Sequence, residues 1–217
     1  MLSSTEENYL KALLYLTLNS NKKEAGTNEI AGYLGVKPAT ANDMLKRLKE
    51  KKLIRYEKYG KITFSDKGKK LATEVMRRHR LWETFLYEKL EFTWDEVHEV
   101  AEQLEHIQSD KLVDKLDKFL NYPKFDPHGD VIPNAKGEIH NPYKKTLAEI
   151  EVGKNCKMVA VKDNTAAFLQ YVVQVGLVMN NKIKVLQKQS YDALMVIEVD
   201  GKQVTISEKF AENILVV

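Results

Sequence analysis

Residues 27–65 carry the pattern that most constrains the fold of this chain. Two short helices, over residues 28–34 and about 38–52, are predicted from their apolar spacing, and a proline in the first turn starts the second. Residues 53–65 then alternate between apolar and polar side chains on either side of a turn at Tyr59-Gly60, which predicts a hairpin. Two helices joined by a tight turn and followed by a hairpin are typical of a winged helix–turn–helix.

The second of these helices is predicted to bind double-stranded DNA. In a helix–turn–helix, the N-terminal residues of the second helix touch base edges in the major groove. The surrounding segment, residues 37–61, contains nine Lys and Arg against three Asp and Glu, which suits a polyanion. Thr40 and Asn42 suit base edges, whereas Lys37 and Lys46 suit phosphates. The candidate DNA-contacting residues are Lys37, Pro38, Ala39, Thr40, Asn42, Asp43, Lys46 and Arg47.

Four more helices are predicted around this module, over residues 4–18, 67–90, 96–107 and 110–120. Ser4 and Glu7 fit a capping box at the start of the first helix, and Asp66 fits the N-cap of the long helix after the hairpin. Residues 75–120 carry more apolar and aromatic side chains than so small a helical unit buries, which favours self-association as a homodimer.

A constellation of His and Glu residues lies on two of these helices. Helical spacing places Glu102, Glu105 and His106 on one face, because they stand at positions i, i+3 and i+4. His98 extends this face by one turn, because it lies four residues before Glu102. His79 and Glu83 form a second pair with i, i+4 spacing on the preceding helix. Carboxylates and imidazoles are ligands for divalent manganese, iron, cobalt or zinc. The alternative interpretation is a solvated acidic face, because residues 83–118 hold eleven Asp and Glu against four Lys and Arg.

The last third of the chain changes from helices to short strands. Residues 121–141 are rich in Pro, Gly and Asn, which predicts an extended linker. Beyond residue 146, turns at Asn180-Asn181 and Asp200-Gly201 separate about five short strands, with one helix over residues 166–175, and this pattern indicates a small antiparallel barrel. The predicted division is a winged-helix domain over 1–73, a helical metal-binding and dimerisation domain over 74–122, a linker over 123–148 and the barrel over 149–217.

The residue inventory argues against a membrane protein and against an enzyme. No apolar run approaches the roughly 20 residues that cross a bilayer, and the N-terminus lacks a signal-peptide pattern, so the cytoplasm is expected. Cys156 is the only cysteine, which excludes an intrachain disulfide and a thiolate zinc site. The helical region lacks the Glu-x-x-His motif of di-metal oxidases, and no Ser/His/Asp set is evident. A winged-helix regulator that senses a non-metal ligand is the main alternative function.

Four motifs carry a resemblance to a known family, namely Thr5-Glu6-Glu7-Asn8-Tyr9-Leu10, Thr63-Phe64-Ser65-Asp66-Lys67-Gly68, Arg77-Arg78-His79-Arg80-Leu81-Trp82-Glu83 and Glu102-Gln103-Leu104-Glu105-His106. With them, the chain resembles the diphtheria-toxin-repressor family of iron- and manganese-dependent regulators over nearly its full length. The resemblance implies a mainly α fold with a small β portion: an N-terminal winged helix, a helical dimerisation domain and a C-terminal SH3-like, FeoA-type barrel. It also implies a homodimeric repressor of metal-homeostasis and transport genes. Such a repressor binds a palindromic operator with Mn²⁺ or Fe²⁺ as corepressor, and Co²⁺ or Zn²⁺ can replace these ions in vitro.

The resemblance further implies two sets of metal ligands. The first consists of Glu102, Glu105 and His106 with one residue of the first helix, which is Asn8 in this chain. Iron-responsive members carry Cys where this chain has Glu102, so the carboxylate points to a harder ion. Lys11 stands where manganese-responsive members often place Glu, which argues against a closely bridged two-metal centre of that kind. The second set is His79, Glu83 and His98, joined by Asp126 and His128 of the motif Asp126-Pro127-His128-Gly129.

Overall fold

The computed structural model describes residues 2–19, 22–57, 60–139 and 145–217. They form two compact units, each built from several segments of the chain. The first unit combines the chain up to residue 79 with residues 102–113 and 133–138, and the second combines residues 80–101, 114–132 and 139–217.

The first unit contains the winged helix–turn–helix that the sequence predicts. Its elements in chain order are α1 (Ser4–Asn19), β1 (Ala25–Gly26), α2 (Thr27–Tyr33), α3 (Pro38–Glu50), β2 (Ile54–Tyr56) and β3 (Lys61–Phe64). The strands form an antiparallel sheet in the order β1-β3-β2, in which Ile54 pairs with Phe64. Strand β1 escapes prediction because two residues are too few to show a periodic pattern. Tyr59 of the predicted turn lies outside the described residues.

Large aliphatic side chains form the core of this module. Each contributes about 1.5–3 kcal/mol when it is fully buried, so packing fixes the arrangement of α1, α2 and α3 more strongly than helix propensity does. The fully buried members are Leu10, Leu13, Leu14, Ile30, Leu45, Leu48, Leu53 and Ile62.

The start of α1 differs from the sequence prediction by one residue. The backbone N–H of Ser3 donates to Glu6 Oε2 (3.0 Å), and the backbone N–H of Glu6 donates to Ser3 Oγ (3.3 Å). This reciprocal pair is a capping box, so the predicted box of Ser4 and Glu7 is wrong. The Glu7 carboxylate is therefore available for contacts with other parts of the unit.

Three longer helices follow the wing, namely α4 (Asp66–Leu90), α5 (Val97–Leu104) and α6 (Asp110–Phe119). Ser65 caps α4, because its Oγ accepts from the backbone N–H of Gly68 (3.1 Å), and the predicted cap at Asp66 is thus wrong. Before α5, the backbone N–H and the hydroxyl of Thr93 both donate to Glu96 Oε2, at 2.9 and 2.7 Å. These contacts hold the turn over residues 94–96 that leads into α5.

Helix α5 is shorter than predicted and ends at Leu104, which leaves Glu105 and His106 in the turn that follows it. The prediction that these two residues share a helical face with Glu102 is therefore wrong. The turn is held from another part of the unit, because Arg78 of α4 donates a hydrogen bond from Nε to the backbone carbonyl of Glu105. A tertiary contact at the helix terminus thus overrides the local periodicity.

The predicted extended linker contains a tight, buried turn near its start. The Asp126 carboxylate closes this turn, because its Oδ1 accepts from the backbone N–H groups of His128 (2.9 Å) and Asp130 (3.0 Å). Gly129 adopts a φ of +84°, and a Cβ built on it would lie 2.1 Å from the carbonyl oxygen of Val159. Close approach of two backbones therefore requires glycine here.

The rest of the second unit is a six-stranded antiparallel sheet in the order β4-β9-β5-β6-β7-β8. Its strands are β4 (Lys145–Thr146), β5 (Asn155–Val161), β6 (Lys182–Gln189), β7 (Leu194–Val199), β8 (Lys202–Ser207) and β9 (Ile214–Val216), with helices α7 (Ala166–Gln174) and α8 (Glu208–Ala211). The Asp200-Gly201 turn joins β7 to β8 as predicted, and Val199 pairs with Lys202 across it. Residues 140–144 of the linker lie outside the described residues. In the described part of the chain, no helix is both long enough and apolar enough to cross a membrane.

We expect the substitution Gly129→Ala to destabilise the second unit far more than Gly201→Ala. Both glycines have a positive φ, but nothing lies within 4 Å of a Cβ at Gly201. The free energy of unfolding of the Gly201→Ala control should therefore fall only by the cost of a left-handed backbone conformation, about 1–2 kcal/mol. Gly129→Ala adds a clash with the backbone of Val159 to this cost. Urea unfolding of both variants measures the difference, and equal losses would show that the turn can move away from β5.

Candidate metal centre

The first candidate site lies in the first unit, where α1, α4 and the end of α5 contact one another. We call Lys11, His79, Glu102 and Glu105 the first cluster. Lys11 Nζ contacts a carboxylate oxygen of both Glu residues, and His79 Nδ1 contacts a carboxylate oxygen of Glu105. Glu105 is fully buried, Lys11 and His79 are buried, and Glu102 is about one-third exposed. The predicted ligands Glu102 and Glu105 are thus brought together, and His79 joins them.

One oxygen of Glu105 is bound by two neighbours. Its Oε2 lies 2.7 Å from Lys11 Nζ and 2.6 Å from His79 Nδ1. Lys11 Nζ also donates to Glu102 Oε1, so one ammonium group links the two carboxylates. Burial alone would raise the pKa of Glu105, but the hydrogen bond from His79 and the charges of His79 and Lys11 hold that pKa below its ordinary value.

The second oxygen of Glu105 has no hydrogen-bond partner although it is buried. His106 Nε2 lies 3.9 Å from this Oε1 atom. Asn8 Oδ1, the predicted ligand from α1, is also buried without a hydrogen-bond partner. Orphaned buried oxygens cost about 1–3 kcal/mol each unless another group satisfies them. These atoms therefore fit a cation that would accept them as ligands.

Glu7 orients His106, and sequence reasoning missed this residue. The Glu7 Oε2 atom lies 2.6 Å from His106 Nδ1, and Glu7 Oε1 accepts from Arg78 (3.1 Å) and Gln108 (2.8 Å). Because a carboxylate only accepts hydrogen bonds, His106 carries a proton on Nδ1 and directs Nε2 towards Glu105. A carboxylate behind a histidine in this way is the usual support for a metal-binding imidazole. The only signal in the sequence was an acidic residue next to Asn8.

The second candidate site lies in the second unit and contains the other predicted ligands. We call Glu83, His98, Asp126 and His128 the second cluster. Glu83 Oε1 lies 3.1 Å from His98 Nδ1 and 3.7 Å from His128 Nδ1. Ligand atoms of Glu83, Asp126 and His128 all lie within 4.8 Å of one another, and these three residues are buried. His128 Nε2 donates to the backbone carbonyl of Trp94 (2.7 Å), which leaves Nδ1 facing Glu83.

The buried charges of the second cluster shift its protonation equilibria. Burial and the charges of Glu83 and Asp130 raise the pKa of Asp126 to about 8. Burial would lower the pKa of His128, but the hydrogen bond with Glu83 and the charges of Glu83 and Asp126 raise it to about 9. Arg80 balances part of the negative charge, with Nη2 donating to Asp130 Oδ2 (3.0 Å) and Nε 3.6 Å from Asp126 Oδ2. Two carboxyl groups and an imidazole held within 4.8 Å of one another in a buried site are suited to a divalent cation.

The predicted DNA-contacting residues line the start of α3 and its solvent side. Of the eight, all are exposed except Asn42, which is half-buried. Ala41, Leu45 and Leu48 of the same helix are fully buried, so the opposite face packs in the module's core. The arrangement leaves the N-terminal turns of α3 accessible to a DNA groove.

Family models match most of the chain in three consecutive parts. Residues 1–62 match the iron dependent repressor N-terminal DNA binding domain, residues 65–134 match the iron dependent repressor metal binding and dimerisation domain, and residues 145–217 match the FeoA domain. The first two models together cover both clusters and the winged helix except for the last two residues of β3.

Individual proteins are similar over different lengths. A probable metal transport system membrane protein of Chlamydia trachomatis is 42% identical over 71 residues, which are 33% of this chain and 16% of that protein. The iron-dependent repressor IdeR of Mycobacterium tuberculosis is 32% identical over 136 residues, which are 61% of this chain and 56% of that repressor. A solved manganese-dependent transcriptional repressor in complex with manganese is 31% identical, with a TM-score of 0.87, and the match covers 98% of this chain and 99% of that one.

We expect the contribution of the second cluster to the stability of the metal-free protein to fall as pH rises from about 4 to about 9. Both Asp126 and His128 bind protons more tightly in the folded state than in the unfolded state, so the folded state holds more protons across this window. Its free energy of unfolding therefore falls with pH, by at most about 1.4 kcal/mol per pH unit for each group. Urea unfolding at several pH values in the presence of a chelator measures the slope.

The variant Asp126→Asn should flatten this slope between pH 5 and 8, because it removes one of the two titrating groups. The matched control is Asp114→Asn, which neutralises an exposed carboxylate on α6. An unchanged slope in Asp126→Asn would contradict the assignment of the pH dependence to the second cluster.

Proposed function

The chain belongs to the family of iron-dependent repressors, and from this premise we propose that it represses transcription when a divalent metal ion, Mn²⁺ or Fe²⁺, is bound. The observation that carries the proposal is the pair of orphaned buried oxygens, Asn8 Oδ1 and Glu105 Oε1. One belongs to a helix of the DNA-reading module and the other follows α5. From its membership of this family, we expect the regulated genes to serve metal homeostasis and transport.

Two groups of residues would hold the ions. Asn8 Oδ1, Glu102, Glu105 Oε1 and His106 Nε2 form the primary site that we propose, and the second cluster forms the other. A bound divalent ion would supply positive charge to several oxygen and nitrogen ligands at once, which ties their elements together. All ligands are carboxylate, amide or imidazole groups, and Cys156, buried on β5, is not among them. This donor set favours Mn²⁺ or Fe²⁺, with Co²⁺ and Zn²⁺ as substitutes in vitro.

The residues themselves connect ion binding to DNA reading. Glu7 and Lys11 of α1 contact the end of α5 and the turn after it, so α1 is already held close to the ligands. Asn8 lies between them in sequence on the same helix. The Asn8 amide oxygen, which has no hydrogen-bond partner, would gain one when a cation binds. This contact would hold α1 in a fixed position relative to the other ligands. The DNA-reading module packs on α1 and is fixed with it.

We propose that the active form is a homodimer on a palindromic operator. The exposed apolar and aromatic side chains Tyr87, Leu90, Phe119 and Tyr122 support self-association of the helical part. A dimer would present two copies of α3 to sites about 34 Å apart, one turn of DNA. In this proposal residues 1–73 read DNA, 74–122 bind metal and dimerise, 123–148 connect, and 149–217 form the FeoA-type domain. Because the target is DNA, we expect the protein in the cytoplasm and without enzymatic activity.

Metal should strengthen operator binding by about 5- to 150-fold, and Glu105→Gln should remove most of that gain. The matched control is Glu99→Gln, which makes the same change on an exposed residue of α5. DNA fragments selected from a random library in the presence of Mn²⁺ provide the probe, and fluorescence anisotropy with and without Mn²⁺ or Fe²⁺ measures the affinity. If the unmodified protein binds the operator equally well with and without metal, the proposal is rejected, and a winged-helix regulator that senses a non-metal ligand is favoured.

Two substitutions on α3 should separate base reading from phosphate binding. Lys46→Ala should weaken binding to all sequences and reduce the slope of log affinity against log salt by about 1. Asn42→Ala should instead relax the preference at one base pair, by about 1–3 kcal/mol, and leave the salt slope unchanged. Competition assays with base-substituted operators measure both effects, and a uniform loss from Asn42→Ala would exclude its role in base reading.

A further inference from the structure

The first cluster already contains a positive charge at the point where its carboxylates converge. The ammonium group of Lys11 donates to Glu102 Oε1 and to Glu105 Oε2 (2.7 Å), and it lies 3.5 Å from His79 Nδ1. The Lys11 side chain is only 8% exposed, and Glu105 is fully buried. Three potential ligand atoms thus surround a cation that the chain itself provides.

The two oxygens of Glu105 face different partners. Oε2 is occupied by Lys11 and His79, whereas Oε1 has no hydrogen-bond partner and lies 3.9 Å from His106 Nε2. One carboxylate therefore adjoins two cation positions, of which one is filled by an ammonium group. An ammonium ion has three donors and no acceptor, which suits the two carboxylate oxygens that Lys11 Nζ contacts, Glu102 Oε1 and Glu105 Oε2.

We propose that Lys11 is a built-in cation that takes the place of a divalent ion between Glu102 and Glu105. The inference rests on the proposed function, because it concerns how many ions the same site accepts. Under it, the first cluster accepts metal only at the Oε1 side of Glu105, next to His106. The contact between α1 and α5 through Lys11 then persists at all metal concentrations, and only the Asn8 side responds to the ion.

The variant Lys11→Met tests this by removing the charge and keeping much of the side-chain volume. We expect it to bind one more Mn²⁺ per chain than the unmodified protein, counted by elemental analysis of the full-length protein after equilibrium dialysis. Two ions that share Glu105 should also give the magnetically coupled electron paramagnetic resonance spectrum of neighbouring Mn²⁺ ions. The matched control Lys115→Met, which removes an exposed lysine of α6, should leave the number of bound ions unchanged.

The double variant Lys11→Met/Glu102→Gln covers the case in which unpaired carboxylates impair folding. It removes one charge of each sign, so we expect it to fold without metal and to bind no additional ion. Lys11→Met itself should be stabilised by Mn²⁺ more than the unmodified protein, because the metal replaces the lost ammonium group. The inference would be overturned if Lys11→Met does not fold even with Mn²⁺, or if Lys11→Met binds the same number of ions as the unmodified protein.

The same measurements separate this inference from the proposed function. If the unmodified protein binds no Mn²⁺ and Lys11→Met binds one ion, the proposed metal response fails while the role of Lys11 stands. If the unmodified protein binds Mn²⁺ and Lys11→Met binds no more, Lys11 instead moves away when metal enters, and the inference fails alone. If neither protein binds Mn²⁺, both are rejected.

Discussion

The buried carboxylate of Glu105 is the charge on which the first unit depends. It has no solvent exposure, so its charge must be compensated by neighbouring groups. Lys11 from α1 and His79 from α4 provide that compensation at one oxygen. Three elements that are distant in sequence are held together by one anion, and the other oxygen of the same group is left for a ligand. The Glu105 side chain therefore contributes both to the stability of the first unit and to ligand binding.

In each unit a histidine is oriented by the same physical device. In the first unit Glu7 accepts from His106 Nδ1, and in the second unit the carbonyl of Trp94 accepts from His128 Nε2. In each case one ring nitrogen is fixed by an acceptor and the other faces a carboxylate. The clusters differ in how they balance negative charge. The first uses a lysine inside the cluster, whereas the second uses Arg80 at its edge and proton uptake by its own members.

Much of the fold followed from local pattern, and less of the site did. The winged helix, the long α4 and the strands around Asp200-Gly201 follow from side-chain periodicity and turn residues, which act over a few positions. Glu102 and Glu105 were found by spacing, although the helix they were assigned to ends at Leu104. Spacing thus predicted two carboxylates that the structure brings together, but on a partly wrong local structure, because a tertiary contact from Arg78 sets the turn.

The sequence by itself determined the kinds of element, the basic face of α3 and the chemical types of ligand, because these depend on residue identity and short-range periodicity. Only the tertiary structure decided which ligands meet. Lys11 and Glu102 are 91 residues apart, and Glu7 and His106 are 99 residues apart, so no local pattern relates them. The folding of the linker into a buried turn, which brings Asp126 to Glu83, was likewise settled by packing against β5. Contacts across such separations arise from the burial of the whole core, which no short stretch of sequence encodes alone.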